Sequence, residues 1–312
     1  MSLLIEADRE EGYAGWHDVF RQVMPYCDIH WWNDPEADPQ SVEYVFCFDP
    51  EPGRLATFPN LRLICAASVG VERIVRDPSW SRAIPLVRMG CKETTAQMAE
   101  YVAWACLSAH RNLPRILQAR DSGQWDKFTP TAVVAERRVS ILGLGSLGGA
   151  AAEMLAKIGF QVAGWSRTRK SIPGVKSFAG PAELNELLRQ SDIVVCLMPG
   201  TPDTMGILDA ARLAMLPPGA SVINVARSGH VVMPDLIAAL EAGRLSCAIL
   251  DVFDQEPLPA DSALWKHPGI LVTSHLASTA SRRSRARYAS EIIAAFERGE
   301  NLPNRYNPEF GY

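Results

Sequence analysis

The stretch Val139-Ser-Ile-Leu-Gly-Leu-Gly-Ser-Leu-Gly148 constrains the fold more than any other part of the chain. Val139 to Leu142 is a short apolar run of the kind a buried parallel strand needs. Gly143, Gly145 and Gly148 follow at G-x-G-x-x-G spacing. Ala150-Ala-Ala-Glu-Met-Leu-Ala-Lys-Ile158 then reads as a small-residue helix closed by Gly159, before a second strand from Phe160 to Trp165. Strand, glycine turn, helix and strand in that order make a dinucleotide-binding unit. Gly143 turns the chain sharply off the strand, Gly145 leaves room for a pyrophosphate at the backbone, and Gly148 lets the helix pack close to the sheet. Ser146 and Leu147 open the helix, where free N–H groups and the positive dipole end face the phosphates.

An NAD site usually places an acid at the tip of the second strand, to bind the ribose 2′-hydroxyl. Here that place falls at Ser166, and Arg167, Thr168, Arg169 and Lys170 follow. With no acid present, two arginines and two hydroxyls suit a 2′-phosphate, because guanidinium matches phosphate geometry. The expected cofactor is NADPH, with NADH the weaker one; a solvated basic loop is the plain alternative.

At 312 residues the chain is long enough for two domains. Its 47% hydrophobic and 21% charged residues are those of a globular protein, and a net charge of −4 gives no global field to draw it onto nucleic acid. Ser281-Arg-Arg-Ser-Arg-Ala-Arg287 is a local exception that reads as a solvated helix face. Seven scattered cysteines without C-x-x-C spacing suit buried thiols in a reducing cytoplasm, not disulfides or a metal site. No apolar run reaches membrane-spanning length, and Met1-Ser-Leu-Leu-Ile5 lacks a charged leader, so neither a membrane partner nor a signal peptide is expected.

Ahead of the glycine motif, strands expected at 2–7, 28–32, 44–48, 61–67 and 84–87 alternate with helical stretches such as 13–24, which predicts a separate small parallel α/β unit. A long helix over 93–113, interrupted at Asn112-Leu-Pro114, leads out of it. After the motif, strands are expected at 193–198, 221–225, 248–252 and 270–273. The predicted architecture is α/β, with two Rossmann-like doubly wound parallel-sheet domains. Residues 1–97 and 289–312 make a flavodoxin-like substrate domain, and residues 98–288 an inserted NAD(P)-binding Rossmann domain. Functional groups in such folds lie at the carboxyl ends of strands. Arg227, Asp251 and His275 fall there, and Glu256 follows in Asp251-Val-Phe-Asp-Gln-Glu-Pro257.

Together these segments resemble the D-isomer-specific 2-hydroxyacid dehydrogenase family and, within it, the glyoxylate/hydroxypyruvate reductase A branch. The resemblance is carried by Gly143-Leu-Gly-Ser-Leu-Gly148, Trp165-Ser-Arg-Thr-Arg-Lys-Ser171, Val222-Ile-Asn-Val-Ala-Arg227, Leu250-Asp-Val-Phe-Asp-Gln-Glu-Pro-Leu258, Ser274-His-Leu-Ala277 and Ala109-His-Arg-Asn-Leu-Pro114. It covers most of the chain from about residue 60 onward. It implies that His275 protonates the carbonyl oxygen of a small 2-oxo acid such as glyoxylate or hydroxypyruvate as hydride arrives. Glu256 would hold the other ring nitrogen and favour the imidazolium. Arg227 would grip the substrate's carboxylate and carbonyl with a planar fork. Asp251 would lie near the nicotinamide carboxamide, and Pro199 and Thr204, with Val225 and Ala226, would border the cofactor. The backbone of Val69, Gly70 and Val71 would bind the substrate carboxylate and Phe48 would stand beside the substrate. Arg88 would reach the same pocket or make a structural salt bridge. The resemblance also implies a homodimer.

Two positions depart from the family pattern. Ser228 stands where glycine usually follows the arginine, and Ser274 where proline usually precedes the histidine. Neither removes a reacting group, but both bear on loop geometry. One rival reading keeps the reductase and changes the 2-oxo acid, to a phenylpyruvate-like one or 3-phosphohydroxypyruvate. The other is a non-enzymatic, dinucleotide-sensing binding protein of the corepressor type.

Overall fold

The computed structural model describes residues 1–7, 12–130 and 132–312. The chain divides into two compact units, Met1–Glu93 with Ala280–Tyr312, and Thr94–Thr279.

The first unit holds β1 (Ser2–Glu6), α1 (Gly12–Val23), β2 (Asp28–Trp31), β3 (Tyr44–Cys47), β4 (Leu63–Ala66), the short α2 (Glu72–Val75) and β5 (Leu86–Val87). All strand pairs are parallel, in the order β2-β1-β3-β4-β5. That is the flavodoxin-like order, whose switch point lies between the first and third strands. The strands are apolar on both sides because both faces are covered. Leu3, Ile5, Phe46, Leu63 and Cys65 meet Trp16 and Phe20 of α1, while Leu4, Val45, Cys47, Ile64 and Ala66 meet Trp32, Leu55 and Ile74.

The C-terminal helix Arg282–Glu297 completes this unit, with Ala286, Ala289, Ile292 and Ile293 in the same core as Trp16. The domain boundary expected at 288/289 therefore moves to 279/280, because a helix that buries residues along its length in one core goes whole with that core. The boundary expected at 97/98 moves to 93/94. The arginines of this helix are not simply solvated: the guanidiniums of Arg282 and Arg285 lie over the buried Trp16 ring at 5.9 and 4.7 Å. Their stems and faces cover apolar surface.

His30 on β2 lies between two carboxylates, Nδ1 3.0 Å from Asp34 and Nε2 3.0 Å from Asp28. Burial alone pushes its pKa down, but the hydrogen bonds and charges of Asp28 and Asp34 outweigh burial and raise it above the ordinary value. The imidazolium thus contributes its stability in full below the unfolded value of about 6.5, and that contribution is lost as pH rises through the raised folded value. His30→Gln is expected to lower Tm at about pH 5.5 and to leave it unchanged at about pH 8.5. An equal drop at both pH values would contradict this.

The second unit contains nearly all of α3 (Lys92–His110), then α4 (Leu113–Asp121), β6 (Arg138–Leu142), α5 (Ser146–Ile158), β7 (Gln161–Ser166), β8 (Val175–Ala179), α6 (Gly180–Arg189), β9 (Ile193–Cys196), α7 (Ala210–Leu213), β10 (Ala220–Asn224), α8 (Met233–Glu241), β11 (Leu245–Leu250) and β12 (Ile270–Val272). The sheet is wholly parallel, in the order β12-β11-β10-β9-β6-β7-β8. This is the doubly wound Rossmann order with one further strand beyond β11, and its switch point lies between β6 and β9. Val139, Ile141, Val195, Ile223 and Ile249 pack beneath α3 and α5, and Leu142, Val194, Cys196, Val222 and Leu250 pack on the opposite face. Each fully buried side chain of this kind contributes about 1.5–3 kcal/mol.

The helix expected over 93–113 ends at His110, Asn112 takes a left-handed φ of 50°, and Pro114 sits in the first turn of α4. Asparagine tolerates that conformation better than most residues. The sequence reading placed no strand at β8. It is an edge strand in which only Phe178 is buried, so it lacks the two-sided apolar run that marked the others.

Candidate active site

A row of backbone hydrogen bonds joins the carboxyl ends of the strands in the second unit. Gly143 N–H donates to Trp165 O (2.8 Å), Leu197 N–H to Leu142 O (2.8 Å), Val225 N–H to Cys196 O (3.3 Å), Asp251 N–H to Asn224 O (3.0 Å) and Thr273 N–H to Leu250 O (2.9 Å). Residues far apart in sequence are thereby brought to one edge of one sheet. Gly143–Gly148, Ser166, Pro199, Val225–Arg227, Asp251 and His275 all follow directly from this row.

Gly143 and Gly148 are required by the turn itself. Gly143 has φ +108°, and a Cβ there would lie 2.6 Å from Leu197 O. A Cβ on Gly148 would lie 1.8 Å from Gly143 O, so the helix can start this close to the strand only with glycine. Gly145 differs: a Cβ there would meet no protein atom within 4 Å. The fold itself does not require glycine at 145, and the space beside its backbone is open. Gly145 also caps α5 without any side-chain bond to the helix, leaving Ser146 and Leu147 at an N-terminus suited to an anion. These residues fit a dinucleotide pyrophosphate.

At the tip of β7, Ser166 Oγ donates to Thr168 O at 2.8 Å, and Arg167 and Thr168 are exposed. The two arginines diverge. Arg169 donates to Ser177 O at 2.6 Å and pairs with Glu183 of α6. Its guanidinium is thus engaged within the protein, bridging β8 and α6.

His275 follows β12 with a left-handed φ of 51°, uncommon for a residue with a side chain. Asp251 explains how that conformation is held. Its carbonyl accepts from His275 N–H (2.9 Å), and its carboxylate accepts from Leu276 N–H (2.9 Å), Ala277 N–H (2.9 Å) and the Thr273 hydroxyl (2.6 Å). Thr273 in turn bonds Tyr101 OH at 2.6 Å. Asp251 is fully buried. The acid expected beside the nicotinamide carboxamide thus braces the loop that presents His275. Glu256 Oε2 lies 2.6 Å from His275 Nδ1, while its Oε1 accepts from Phe253 N–H at 2.9 Å. The carboxylate fixes Nδ1 as the N–H side and sets the ring plane, leaving Nε2 as the nitrogen that can exchange a proton.

Arg227 is half-buried and donates to Ala226 O at 2.6 Å. Buried Asn224 clamps this turn from both sides, donating to Arg227 O (2.9 Å) and accepting from Ala226 N–H (3.2 Å). Val225 and Ala226 have buried side chains, so what they present is backbone. Thr204 uses its hydroxyl to close its own loop, 2.7 Å from Pro199 O and 3.0 Å from Thr201 N. Ser228 opens a short helical turn, 228–230, and Ser274 is exposed, so both departures are accommodated in the loops.

In the first unit, the candidate residues also follow strand ends. Phe48, just after β3, is 37% exposed, and the Arg73 guanidinium stacks on its ring at 4.8 Å. Val69–Val71 follow β4; Val71 is buried, so this turn too offers its backbone. Arg88 lies over the Tyr312 ring at 5.8 Å.

Sequence reasoning missed four residues of this edge. Asn224, Thr273, Tyr101 and the fully buried His230 carry the loops rather than the chemistry. Only Asn224 left a signal, as a polar residue ending an apolar strand. No group of acidic, histidine or cysteine side chains among the described residues is arranged to hold a metal ion. No helix among them is long and apolar enough to cross a membrane.

A family model described as D-isomer specific 2-hydroxyacid dehydrogenase, NAD binding domain, matches residues 103–277. Among solved structures, a D-isomer specific 2-hydroxyacid dehydrogenase from Xanthobacter autotrophicus Py2, in complex with NADPH and MES, is 39% identical over 100% of this chain and 99% of that one, with TM-score 0.94. The NADPH-dependent glyoxylate/hydroxypyruvate reductase of Sinorhizobium meliloti, in complex with NADP and sulfate, is 30% identical over the same shares, with TM-score 0.91. A probable 2-hydroxyacid dehydrogenase from Rhizobium etli CFN 42, in complex with NADP, HEPES and L(+)-tartaric acid, is 32% identical over 100% of this chain and 99% of that one, with TM-score 0.91.

Proposed function

This chain belongs to the D-isomer-specific 2-hydroxyacid dehydrogenase family, and on that premise we propose that it uses NADPH to reduce the small 2-oxo acids glyoxylate and hydroxypyruvate to their 2-hydroxy acids. The observation that carries the reading is the His275–Glu256 pair at 2.6 Å, on the same row of strand ends as Arg227 and the glycine turn. The reductase from Sinorhizobium meliloti supports the choice of substrate.

The turn Gly143–Gly148 and the first turn of α5 hold the pyrophosphate, and Ser166, Arg167 and Thr168 the 2′-phosphate. Pro199, Thr204, Val225 and Ala226 line the nicotinamide side through backbone and shape. NADPH supplies the hydride when bound. Arg227 takes the carboxylate and carbonyl of the 2-oxo acid with its fork and stabilises the negative charge that develops on the carbonyl oxygen. His275 gives the Nε2 proton to that oxygen. Glu256 keeps the ring in the orientation and tautomer this needs, and Asp251 keeps the loop in place. In the first unit, Phe48 and the backbone of Val69, Gly70 and Val71 remain the substrate contacts of this reading.

Cofactor choice has its own test. Ser166→Asp combined with Arg167→Gln restores an acid for the ribose and removes a phosphate partner. The ratio of kcat/KM with NADPH to that with NADH is expected to fall by about 10- to 100-fold, the worth of one or two charge-assisted hydrogen bonds. An unchanged ratio would place recognition of the 2′-phosphate elsewhere.

The same reading makes the protein a cytoplasmic homodimer associating through the second unit. Trp104 and Leu107 of α3, Ile116 of α4 and Trp125 are 41%, 37%, 42% and 95% exposed, a run of large apolar groups that a monomer seldom leaves in water. Arg115 holds the segment after α4 in place, bonding Asp126 at 2.5 and 2.8 Å and stacking on Phe128 at 4.5 Å. Light scattering is expected to give the mass of two chains, and Trp104→Ser with Trp125→Ser the mass of one. A double variant that stays dimeric would remove this surface from the interface.

A further inference from the structure

We infer that His230 is a positioning residue that locks the Arg227 turn and the 199–204 loop into one frame through a single neutral tautomer. The inference rests on the reading of Arg227 as the substrate grip and of the 199–204 loop as a border of the cofactor. His230 is fully buried, with a relative exposure of 0%, and lies at the end of the turn that Arg227 opens. Its Nδ1 is 3.2 Å from the Arg227 backbone nitrogen, and its Nε2 is 3.1 Å from Pro199 O and 3.3 Å from Thr204 Oγ1.

The partners fix the tautomer. The Arg227 amide can only donate and the Pro199 carbonyl can only accept. Nδ1 is therefore the bare nitrogen and Nε2 carries the hydrogen. A protonated ring would lose the acceptor, and the other neutral tautomer would set donor against donor at Arg227.

The surrounding backbone brings the same two loops together. Gly206 N–H donates to Gly229 O (2.7 Å), Leu208 N–H to His230 O (2.9 Å) and Val232 N–H to Leu208 O (3.1 Å). These bonds are made by residues 229–232, which follow Arg227 in the chain. His230 is the side chain that carries the connection forward to the Arg227 amide and the Pro199 carbonyl. Arg227's own side chain reaches back to Ala226 O, so a shift of this peptide moves the guanidinium with it.

The two bonds can be separated by substitution. An asparagine amide overlays the Nδ1 position and a glutamine amide the Nε2 position. His230→Asn keeps an acceptor for Arg227 and loses the bond to Pro199. His230→Gln keeps a donor for Pro199 and loses the bond to Arg227. With the full-length protein, His230→Gln is expected to raise KM for glyoxylate about tenfold and to keep the NADPH Kd within about twofold, the effect of losing one buried hydrogen bond. His230→Asn is expected to raise the NADPH Kd about tenfold and to keep KM for glyoxylate within about twofold. The two variants moving together, both unchanged or both weakened in both constants, would overturn the inference.

Hydrogen exchange separates a failure of this inference from a failure of the functional reading. Faster amide exchange confined to 225–228 in the Gln variant and to 199–206 in the Asn variant supports the lock whether or not any 2-oxo acid is turned over. Exchange rates equal to those of the unaltered protein in both segments would overturn it.

Discussion

Replacing His275 with asparagine is expected to cut kcat for glyoxylate reduction by roughly 100-fold or more, the usual cost of removing a positioned general acid. Asparagine is the informative choice because His275 sits at φ 51°, where alanine adds backbone strain of its own and asparagine adds little. The bonds that shape the loop, from Asp251 to the backbone of residues 275–277, do not involve the imidazole and stay in place. The melting temperature should hold, and so should NADPH affinity, because the glycine turn and the β7 tip are untouched. The loss should fall on kcat rather than KM, as expected for a proton given only in the transition state. Steady-state kinetics at saturating NADPH check this, with alanine in parallel. Near-normal turnover in the asparagine variant would remove His275 from its role.

Arg227→Lys is expected to lower kcat/KM for glyoxylate by about 100-fold, close to the 2.7 kcal/mol that a single transition-state donor supplies. A lysine keeps the charge and loses the planar fork, so it cannot hold carboxylate and carbonyl together. It also loses the guanidinium bond to Ala226 O at 2.6 Å that sets the side chain's direction. Unlike the histidine variant, this one should raise KM and lower kcat together, since the fork acts on the ground-state carboxylate and on the developing alkoxide. The kinetics of the unaltered protein in this variant would make Arg227 a structural residue.

The parts of the molecule that sequence made legible share one property: local pattern determines them. The apolar runs of β6, β9, β10 and β11 are buried on both faces, and glycine at 148 is required by the carbonyl of Gly143 in the same turn. Gly145 was read from its spacing alone, and no protein contact requires it. What stayed hidden depends on partners distant in sequence. The engagement of Arg169 depends on Ser177 of β8 and Glu183 of α6, which its own neighbours in the chain do not reveal. Nothing in the sequence showed that the polar atoms of Asp251 and Thr204 face their own loops. His230 had no pattern at all, because its meaning lies in a carbonyl at residue 199 and an amide at residue 227. The edge strand β8 was missed because it buries only Phe178.

The central claim is an NADPH-dependent reduction of small 2-oxo acids, and the most direct test is the absorbance of reduced nicotinamide with glyoxylate, hydroxypyruvate, pyruvate and phenylpyruvate, each with NADPH and with NADH. Rapid loss of NADPH is expected with glyoxylate and hydroxypyruvate, and slower loss with NADH. Tight NADPH binding without turnover of any of these acids, or turnover of phenylpyruvate alone, would contradict it.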